Sequence, residues 1–413
     1  MTRASIALLT LTLVAGPAAA DLLILKKGGK LEVWGMPKTV GKGTNEVEVT
    51  PENAELYADQ SVGVVEAEGY DSVTAKKTDK SKSETFPRSE VVSVLYNSEP
   101  EALSSGFGSM ASGQYLAAVN DFRTVVENNA VREAYRYQAQ FQIGRCYLLA
   151  GRTADCIKHF KDWKPVNSVY TPVAYRILAD LLTDQRKYDD ARAQYAQIGN
   201  LPGIPDVWKY NARLGAVKVD TAERKYEAAE AGAAGIARET QNKPEVADAN
   251  VNALALQAEA IWRGGKTERL PEAEKLLARA DAVEGAETGT RAFLLVTQGN
   301  VLYAQRKIDE ARFPYLRAAL MYPDSGYDGI AYFNAGQCFL DMSGALAGKD
   351  QEKSDQLLVR GMRLLATAAG NYKVSDAAKR YRENKARYEE ILAKSGEKSE
   401  EGSSDKPAEK PGN

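Results

Sequence analysis

Histidine is the scarcest chemically versatile residue in this sequence, because its 413 residues include only one, His159. Zinc and other transition-metal sites need several histidine or cysteine ligands. A Ser/His/Asp or Cys/His catalytic group would have to use this single imidazole. We therefore predict no metal site, no cofactor and no enzymatic activity. His159 stands next to Phe160, which we place in a helical core, so the histidine is predicted to face solvent.

Cysteine is nearly as rare, with three residues in the whole chain. Three cysteines cannot form the disulfide framework that holds small exported domains together. Cys146 and Cys156 fall in the two helices of one predicted hairpin, where unpaired cysteine behaves as a small buried apolar side chain. A Cys146–Cys156 disulfide is the alternative, and the sequence leaves it open.

The chain also lacks a strong excess of charge and a long apolar run. Its formal net charge is −2 and its pI about 5.9, so it has no broad basic surface of the kind that binds nucleic acid. No run of about eighteen apolar residues, the length that spans a membrane, follows residue 20. The first twenty residues are typical of a Sec-type signal peptide: Arg3, the apolar stretch Ile6–Val14, and Ala18–Ala20 at the cleavage site. No cysteine precedes Cys146, which excludes a lipoprotein anchor, and we predict a periplasmic or secreted protein.

Residues 21–96 carry the pattern of short β-strands separated by turns. Lys27–Lys30 contains two glycines and predicts a hairpin turn. The predicted strands are Leu22–Leu25, Leu31–Trp34, Glu46–Val49, Val62–Val65, Ser72–Ala75 and Val91–Leu95. Such a set suits a small all-β domain resembling an SH3-like or Sm-like barrel. Residues 97–100, which end in a proline, are predicted to form a hinge.

From residue 101 onward the pattern becomes helical and repeats itself. In the stretch 292–323, Gly299 is followed twelve residues later by Ala311 and four residues after that by Tyr315. The same spacing of small, small and aromatic residues occurs at Gly106, Ala118 and Phe122, at Gly144, Cys156 and Phe160, and at Ala179, Ala191 and Tyr195. Small residues let two helices cross closely, and the aromatic residue fills the space beside them.

This spacing resembles the tetratricopeptide (TPR) repeat, a helix–turn–helix unit of about 34 residues. The resemblance implies a mainly α protein: a right-handed TPR-like α-solenoid of helical hairpins over 101–374, preceded by the small β-domain. Residues 375–393 are predicted to form a polar capping helix, and 394–413 a disordered tail. Pro314 falls inside a predicted helix, where we expect a bend.

In the TPR family the first helix of each hairpin lines the ligand-binding groove. Carried over position by position, the resemblance implies the groove residues Arg145, Arg176, Asp180, Asp184, Asn300, Tyr303, Phe333, Gln337 and Asp341. We therefore predict an exported, non-catalytic scaffold that binds a protein or peptide partner in the cell envelope. One alternative is a cell-wall or glycan-associated protein whose β-domain is the ligand module. Another is a glycoside hydrolase that uses Asp180 and Asp184 as paired carboxylates.

Overall fold

The computed structural model describes residues 21–41, 46–60, 63–77, 81–96, 99–164 and 166–395. The predicted signal peptide, residues 97–98 of the predicted hinge and residues 396–413 of the predicted tail lie outside these ranges. Within the described residues, eight β-strands precede fifteen α-helices. The chain forms two compact units, divided between Gly215 and Ala216.

The β-strands form three small antiparallel sheets, with strand orders β2-β1-β8, β3-β4 and β5-β6-β7. The strands are β1 Leu22–Lys27, β2 Lys30–Trp34, β3 Thr39–Val40, β4 Val47–Glu48, β5 Val64–Glu68, β6 Ser72–Lys76, β7 Glu84–Pro87 and β8 Val91–Leu95. The predicted first hairpin is confirmed, and its turn glycines Gly28 and Gly29 have φ of 56° and 82°. Only a residue without Cβ adopts such angles at little cost.

Two features of the β-domain differ from the sequence prediction. The sequence predicts a half-buried strand at Glu46–Val49, and the predicted burial is wrong. Both residues of β4 are exposed and pair only with the two-residue β3. Strand β7 was not predicted, since it ends in Pro87. That proline is tolerated because β7 lies at the edge of its sheet, where an absent N–H breaks no ladder.

The helices pack as consecutive antiparallel pairs. In the first unit the pairs are α1 with α2, α3 with α4, and α5 with α6; in the second they are α9 with α10, α11 with α12, and α13 with α14, and α15 packs on α14. The helices are α1 Glu101–Ala111, α2 Tyr115–Glu127, α3 Glu133–Leu149, α4 Thr153–Lys161, α5 Tyr170–Asp184, α6 Tyr188–Gly199, α7 Asp206–Ala222, α8 Tyr226–Thr240, α9 Ala247–Arg263, α10 Leu270–Asp281, α11 Thr288–Ala304, α12 Ile308–Met321, α13 Asp328–Leu346, α14 Gln351–Gly370 and α15 Ser375–Ser395.

The predicted spacing produces the predicted helix crossing. A Cβ placed on Gly106 would stand 2.5 Å from the ring of Phe122, which is closer than real Cβ atoms approach. Gly144 lies against the Phe160 ring in the same way, and Gly299 against Tyr315. The predicted fold class, mainly α with TPR-like helical hairpins after a small β-domain, is therefore confirmed. The α12 helix continues through the buried Pro314.

One repeat uses its aromatic residue differently. Tyr195 of α6 packs directly against Gly215 of α7, the next helix along the chain. The hairpin's own small residue, Ala179, is fully buried. The aromatic side chain here closes the space to the following helix, while its hydroxyl donates a hydrogen bond to Asp180.

The β-domain contacts three successive loops between hairpins of the first unit. Arg132, after α2, donates to both carboxylate oxygens of Asp21 at 2.6 and 2.7 Å. Asn167, after α4, accepts a hydrogen bond from the Tyr70 backbone N–H at 3.2 Å. The Tyr70 hydroxyl donates at 3.0 Å to the carbonyl of Pro202, after α6. These contacts fix the β-domain on the loops that join the hairpins.

The single histidine does not face solvent as predicted. His159 is half-buried, and its Nε2 lies 2.7 Å from the carbonyl oxygen of Gln140 on α3. Its ring also packs edge-on against Tyr147 and Phe160. A residue next to a core position is expected to point outward, but the His159 imidazole reaches back across the hairpin to α3.

The burial of His159 predicts a pH dependence of stability, and the protonation of this one residue can be measured. Burial lowers the pKa of His159 below its usual value of about 6.5. The folded state therefore resists protonation, so the stability that depends on neutral His159 is present above pH 6.5 and is lost as pH falls below it. Because the chain has one histidine, its imidazole proton signal in NMR needs no assignment. We expect a titration midpoint below 6.5 in the folded protein; a midpoint at or above that value contradicts the burial of the imidazole.

All three cysteines are free and buried, which agrees with the preferred prediction of small apolar core residues. Burial raises the pKa of Cys146 and Cys156 to about 11 and that of Cys338 to about 12. A thiol with so high a pKa carries almost no thiolate at neutral pH and is a poor nucleophile.

Candidate partner-binding site

Two first helices of the second unit bring a group of polar side chains together. Asn300 and Tyr303 lie one turn apart on α11, and Asn334, Gln337 and Asp341 follow a helical spacing on α13. All five are half-buried. We call these five residues the polar cluster. Because their helices belong to different hairpins, only the packing of one hairpin on the next assembles it.

Hydrogen bonds join the two helices across the cluster. The Tyr303 hydroxyl donates to one carboxylate oxygen of Asp341. The Gln337 amide donates to the other oxygen at 2.7 Å. Asn334 donates at 3.4 Å to the side-chain oxygen of Asn300. These side chains hold each other in place instead of extending separately into solvent.

Tyr315 on α12 supports the cluster from within its own hairpin. Its ring fills the space beside Gly299, and its hydroxyl donates at 2.7 Å to the side-chain oxygen of Asn300. The aromatic residue of the repeat motif therefore packs the helix crossing and also orients the Asn300 side chain.

The cluster keeps Tyr303 as a neutral hydrogen-bond donor. Burial raises its pKa, and the hydrogen bond to Asp341 raises it further. Asp341 receives donors on both carboxylate oxygens. By contrast, the Gln337 side-chain oxygen is buried and accepts no hydrogen bond from any described residue. Leaving such an acceptor unsatisfied costs about 1–3 kcal/mol.

The structure groups four of the nine sequence-predicted groove residues in this cluster: Asn300, Tyr303, Gln337 and Asp341. Phe333 is on the same helix α13 but packs against the apolar cluster of α14 and α15 around Leu358 and Met362. Sequence reasoning missed Asn334, although it lies three residues before Gln337 and so shares its helix face.

The remaining four predicted residues belong to the first unit and are exposed. Arg145 on α3 donates to Gln142 at 3.1 Å. On α5, Asp180 accepts a hydrogen bond from the Tyr195 hydroxyl. Burial raises the pKa of that hydroxyl, and the nearby positive charge of Arg176 opposes the rise. Asp184 lies one turn beyond Asp180. The Asp180 carboxylate is thus part of a structural contact with Tyr195.

A buried acid that the sequence did not indicate lies on α9. Glu259 forms an ion pair with Arg263, with 2.8 Å between Glu259 Oε1 and Arg263 Nε, and only 13% of the Glu259 side chain is exposed. Burial raises its pKa, while Arg263 and Lys218 oppose that change. Lys218 also lies over the ring of Phe293, 5.9 Å from its centroid. Only the folded arrangement of α7, α9 and α11 reveals this group.

The described part of the chain offers no candidate metal cluster and no candidate membrane-spanning helix. No group of three His, Cys, Asp or Glu side chains there has the geometry to hold a metal ion. None of the helices between residues 21 and 395 combines the length and apolarity needed to cross a membrane.

Comparison with known proteins adds context to this geometry. No protein-family model matches the sequence, and no curated protein matches it. One similar solved structure is a tetratricopeptide repeat protein from Parabacteroides merdae ATCC 43184, with 12% identity, coverage of 63% of this chain and 98% of that chain, and a TM-score of 0.38. The helical region is built of TPR-like repeats. Its own hairpin crossings at Gly106, Gly144 and Gly299 carry the repeat pattern.

A second similar structure is a Rap protein in complex with a competence and sporulation factor. Its identity to this chain is 11%, the alignment covers 71% of this chain and 87% of that chain, and the TM-score is 0.38. At this level of similarity the ligand of that complex says nothing about the ligand of the TPR-like chain.

Proposed function

We propose that this protein is a non-catalytic scaffold that binds an extended peptide segment of a partner protein at the polar cluster. The carrying observation is that amide, phenol and carboxylate groups from α11 and α13 meet in one half-buried, hydrogen-bonded set. Amide side chains both donate and accept hydrogen bonds, which is the chemistry that a peptide backbone requires.

The unsatisfied side-chain oxygen of Gln337 indicates that the partner supplies a hydrogen-bond donor. A buried acceptor without a donor carries a free-energy cost, and a rotation of the Gln337 side chain that brings this oxygen to a peptide N–H would remove that cost. The Tyr303 and Asp341 pair fixes the neighbouring side chains, so less side-chain order has to be imposed on binding. The first-unit residues Arg176, Asp180 and Asp184 are proposed as further partner contacts on α5.

We further propose that the protein is exported and acts in the cell envelope. The support is the signal pattern of residues 1–20 together with the position of Asp21, the first residue after the predicted cleavage site. Its carboxylate is fully buried in the folded unit and held by Arg132 and by the backbone N–H of Val65. Cleavage after Ala20 would leave both of these Asp21 contacts in place.

The β-domain offers less support for binding glycans. Aromatic side chains commonly stack on sugar rings, but Trp34, Tyr70 and Phe86 are buried and Tyr57 and Tyr96 are half-buried. We therefore retain the peptide-binding scaffold as the proposed function.

The experiment is a quantitative pull-down from cell-envelope extract with the full mature chain. Gln337→Met removes the amide at nearly constant volume, and Tyr303→Phe removes the hydroxyl. We expect each substitution to reduce capture of a common partner roughly tenfold, because well-placed polar contacts are lost. Gln356→Met makes the same chemical change at an exposed position on α14 and should not reduce capture.

Retention of all partners by both cluster variants would contradict the groove proposal. The same cells report on export, since the intact mass of the protein in the envelope fraction should correspond to a chain that begins at Asp21. An uncleaved chain found in the cytoplasm would contradict that part of the proposal and leave peptide binding to be judged by the capture alone.

A further inference from the structure

A cavity lies in the second unit, and none of the polar-cluster residues lines it. It has a volume of about 460 Å³ and lies among α8, α9 and α10. Its apolar lining includes Leu254 and Leu276, which are buried. Three cationic side chains line it as well: Arg238 from α8, and Lys275 and Arg279 from α10. Lys275 and Arg279 are four residues apart and so share one helix face.

The three cations lack acidic partners. The Arg238 Nε donates only a long hydrogen bond, 3.4 Å, to the backbone carbonyl of Ala234. In the part of the chain that the structure describes, no carboxylate lies within ion-pair distance of Arg238, Lys275 or Arg279. The carboxylate of the lining residue Glu272 accepts from Arg269 at 2.9 and 3.0 Å. The cavity therefore carries an excess of positive charge.

Helix dipoles explain only part of this arrangement. Arg238 and Arg279 lie in the last turns of α8 and α10, where a cation is favoured by the partial negative charge of the helix C-terminus. Lys275 is in the middle of α10 and gains no such stabilisation, yet it lines the same cavity.

We propose that this cavity binds an acidic peptide segment that carries an apolar side chain. The apolar side chain would occupy the floor beside Leu254 and Leu276, and the carboxylates would pair with Arg238, Lys275 and Arg279. The Gln257 amide, which also lines the cavity, supplies hydrogen bonds for the peptide backbone. A peptide fits better than a nucleic acid, because nucleic-acid binding needs a long basic surface and this chain has a net charge of −2.

The test is fluorescence anisotropy of the full mature chain with a labelled synthetic peptide of alternating Glu and Leu residues. We expect binding that weakens as salt is added, and roughly tenfold weaker binding after the double substitution Lys275→Glu with Arg279→Glu, because like charges then face the ligand. The control Lys379→Glu with Arg382→Glu makes the same charge changes at exposed positions of α15 and should retain the wild-type affinity.

Three outcomes would overturn the proposal. The first is an equal loss in the control variant, which would show that only net charge matters. The second is equal binding of a peptide in which Gln replaces every Glu. The third is tighter binding of a single-stranded DNA oligonucleotide than of the acidic peptide. Thermal unfolding of both double variants checks that each is folded, and Lys275→Gln, which reverses no charge, should give a smaller loss in the same direction.

Discussion

Replacing Gly299 with Ala is expected to destabilise the protein by about 2 kcal/mol, although alanine is the better helix former. Gly299 is buried at the crossing of α11 and α12, and an added Cβ would stand 2.6 Å from ring atoms of Tyr315. The ring is buried and its hydroxyl is bonded to Asn300, so it cannot move without losing contacts. Overpacking of this kind typically costs 1–3 kcal/mol. Urea unfolding of the full chain gives the free energy directly.

Gly235 in α8 provides the matched control for this substitution. A Cβ there would meet nothing within 4 Å, so Gly235→Ala removes the conformational freedom of glycine without a clash. The expected result is a stabilisation of up to about 1 kcal/mol. If Gly299→Ala were also stabilising, the interpretation of the repeated glycine as a close-crossing position would be wrong.

Replacing Arg132 with Met is expected to cost about 3 kcal/mol and to loosen the β-domain. The Asp21 side chain is completely buried, whereas 38% of the Arg132 side chain is exposed. Removing the arginine takes the charged partner away from a buried carboxylate, which also accepts a hydrogen bond from the backbone N–H of Val65 at 2.8 Å. Loss of one partner from a buried ion pair typically costs 3–5 kcal/mol, and the partial exposure of Arg132 places this pair at the low end.

Arg152→Met is the control for this second substitution. Arg152 pairs with Asp155 at 2.6 Å, but their side chains are 48% and 40% exposed, and exposed pairs contribute between 0 and about 1 kcal/mol. Hydrogen exchange at the Val65 N–H should accelerate in Arg132→Met and not in Arg152→Met. Equal stability of the two variants would mean that the Asp21–Arg132 contact does not hold the β-domain on the helices.

The helical region was the most predictable part of the fold, for a local reason. The two small residues and the aromatic residue of a repeat lie within one hairpin, so a fixed spacing is enough to bring Gly144 and Phe160 into contact. The structure also has a helix, α15, that begins at Ser375. The β-domain was less predictable, because its strands β1 and β8 pair across about seventy residues and short strands carry little periodic signal.

The candidate site was predictable in its residue positions but not in its contacts. Asn300 and Tyr303 could be placed on one helix face, yet nothing in the sequence showed that Tyr303 would meet Asp341. Phe333 satisfied the same positional rule and packs instead against α14 and α15. Helix periodicity sets the face on which a side chain lies, and the angle between neighbouring hairpins sets what it touches.

The sequence by itself determined that this chain forms TPR-like helical hairpins after a short β-rich segment, because those properties depend on residues close together in the chain. Only the tertiary structure decided that Asp21 is held by Arg132, that the polar cluster is joined across two hairpins, and that three cations share a cavity without acidic partners. Each of these depends on groups far apart in sequence, and the free energy of a charge or hydrogen bond depends on its distance, its partners and its burial once the chain has folded.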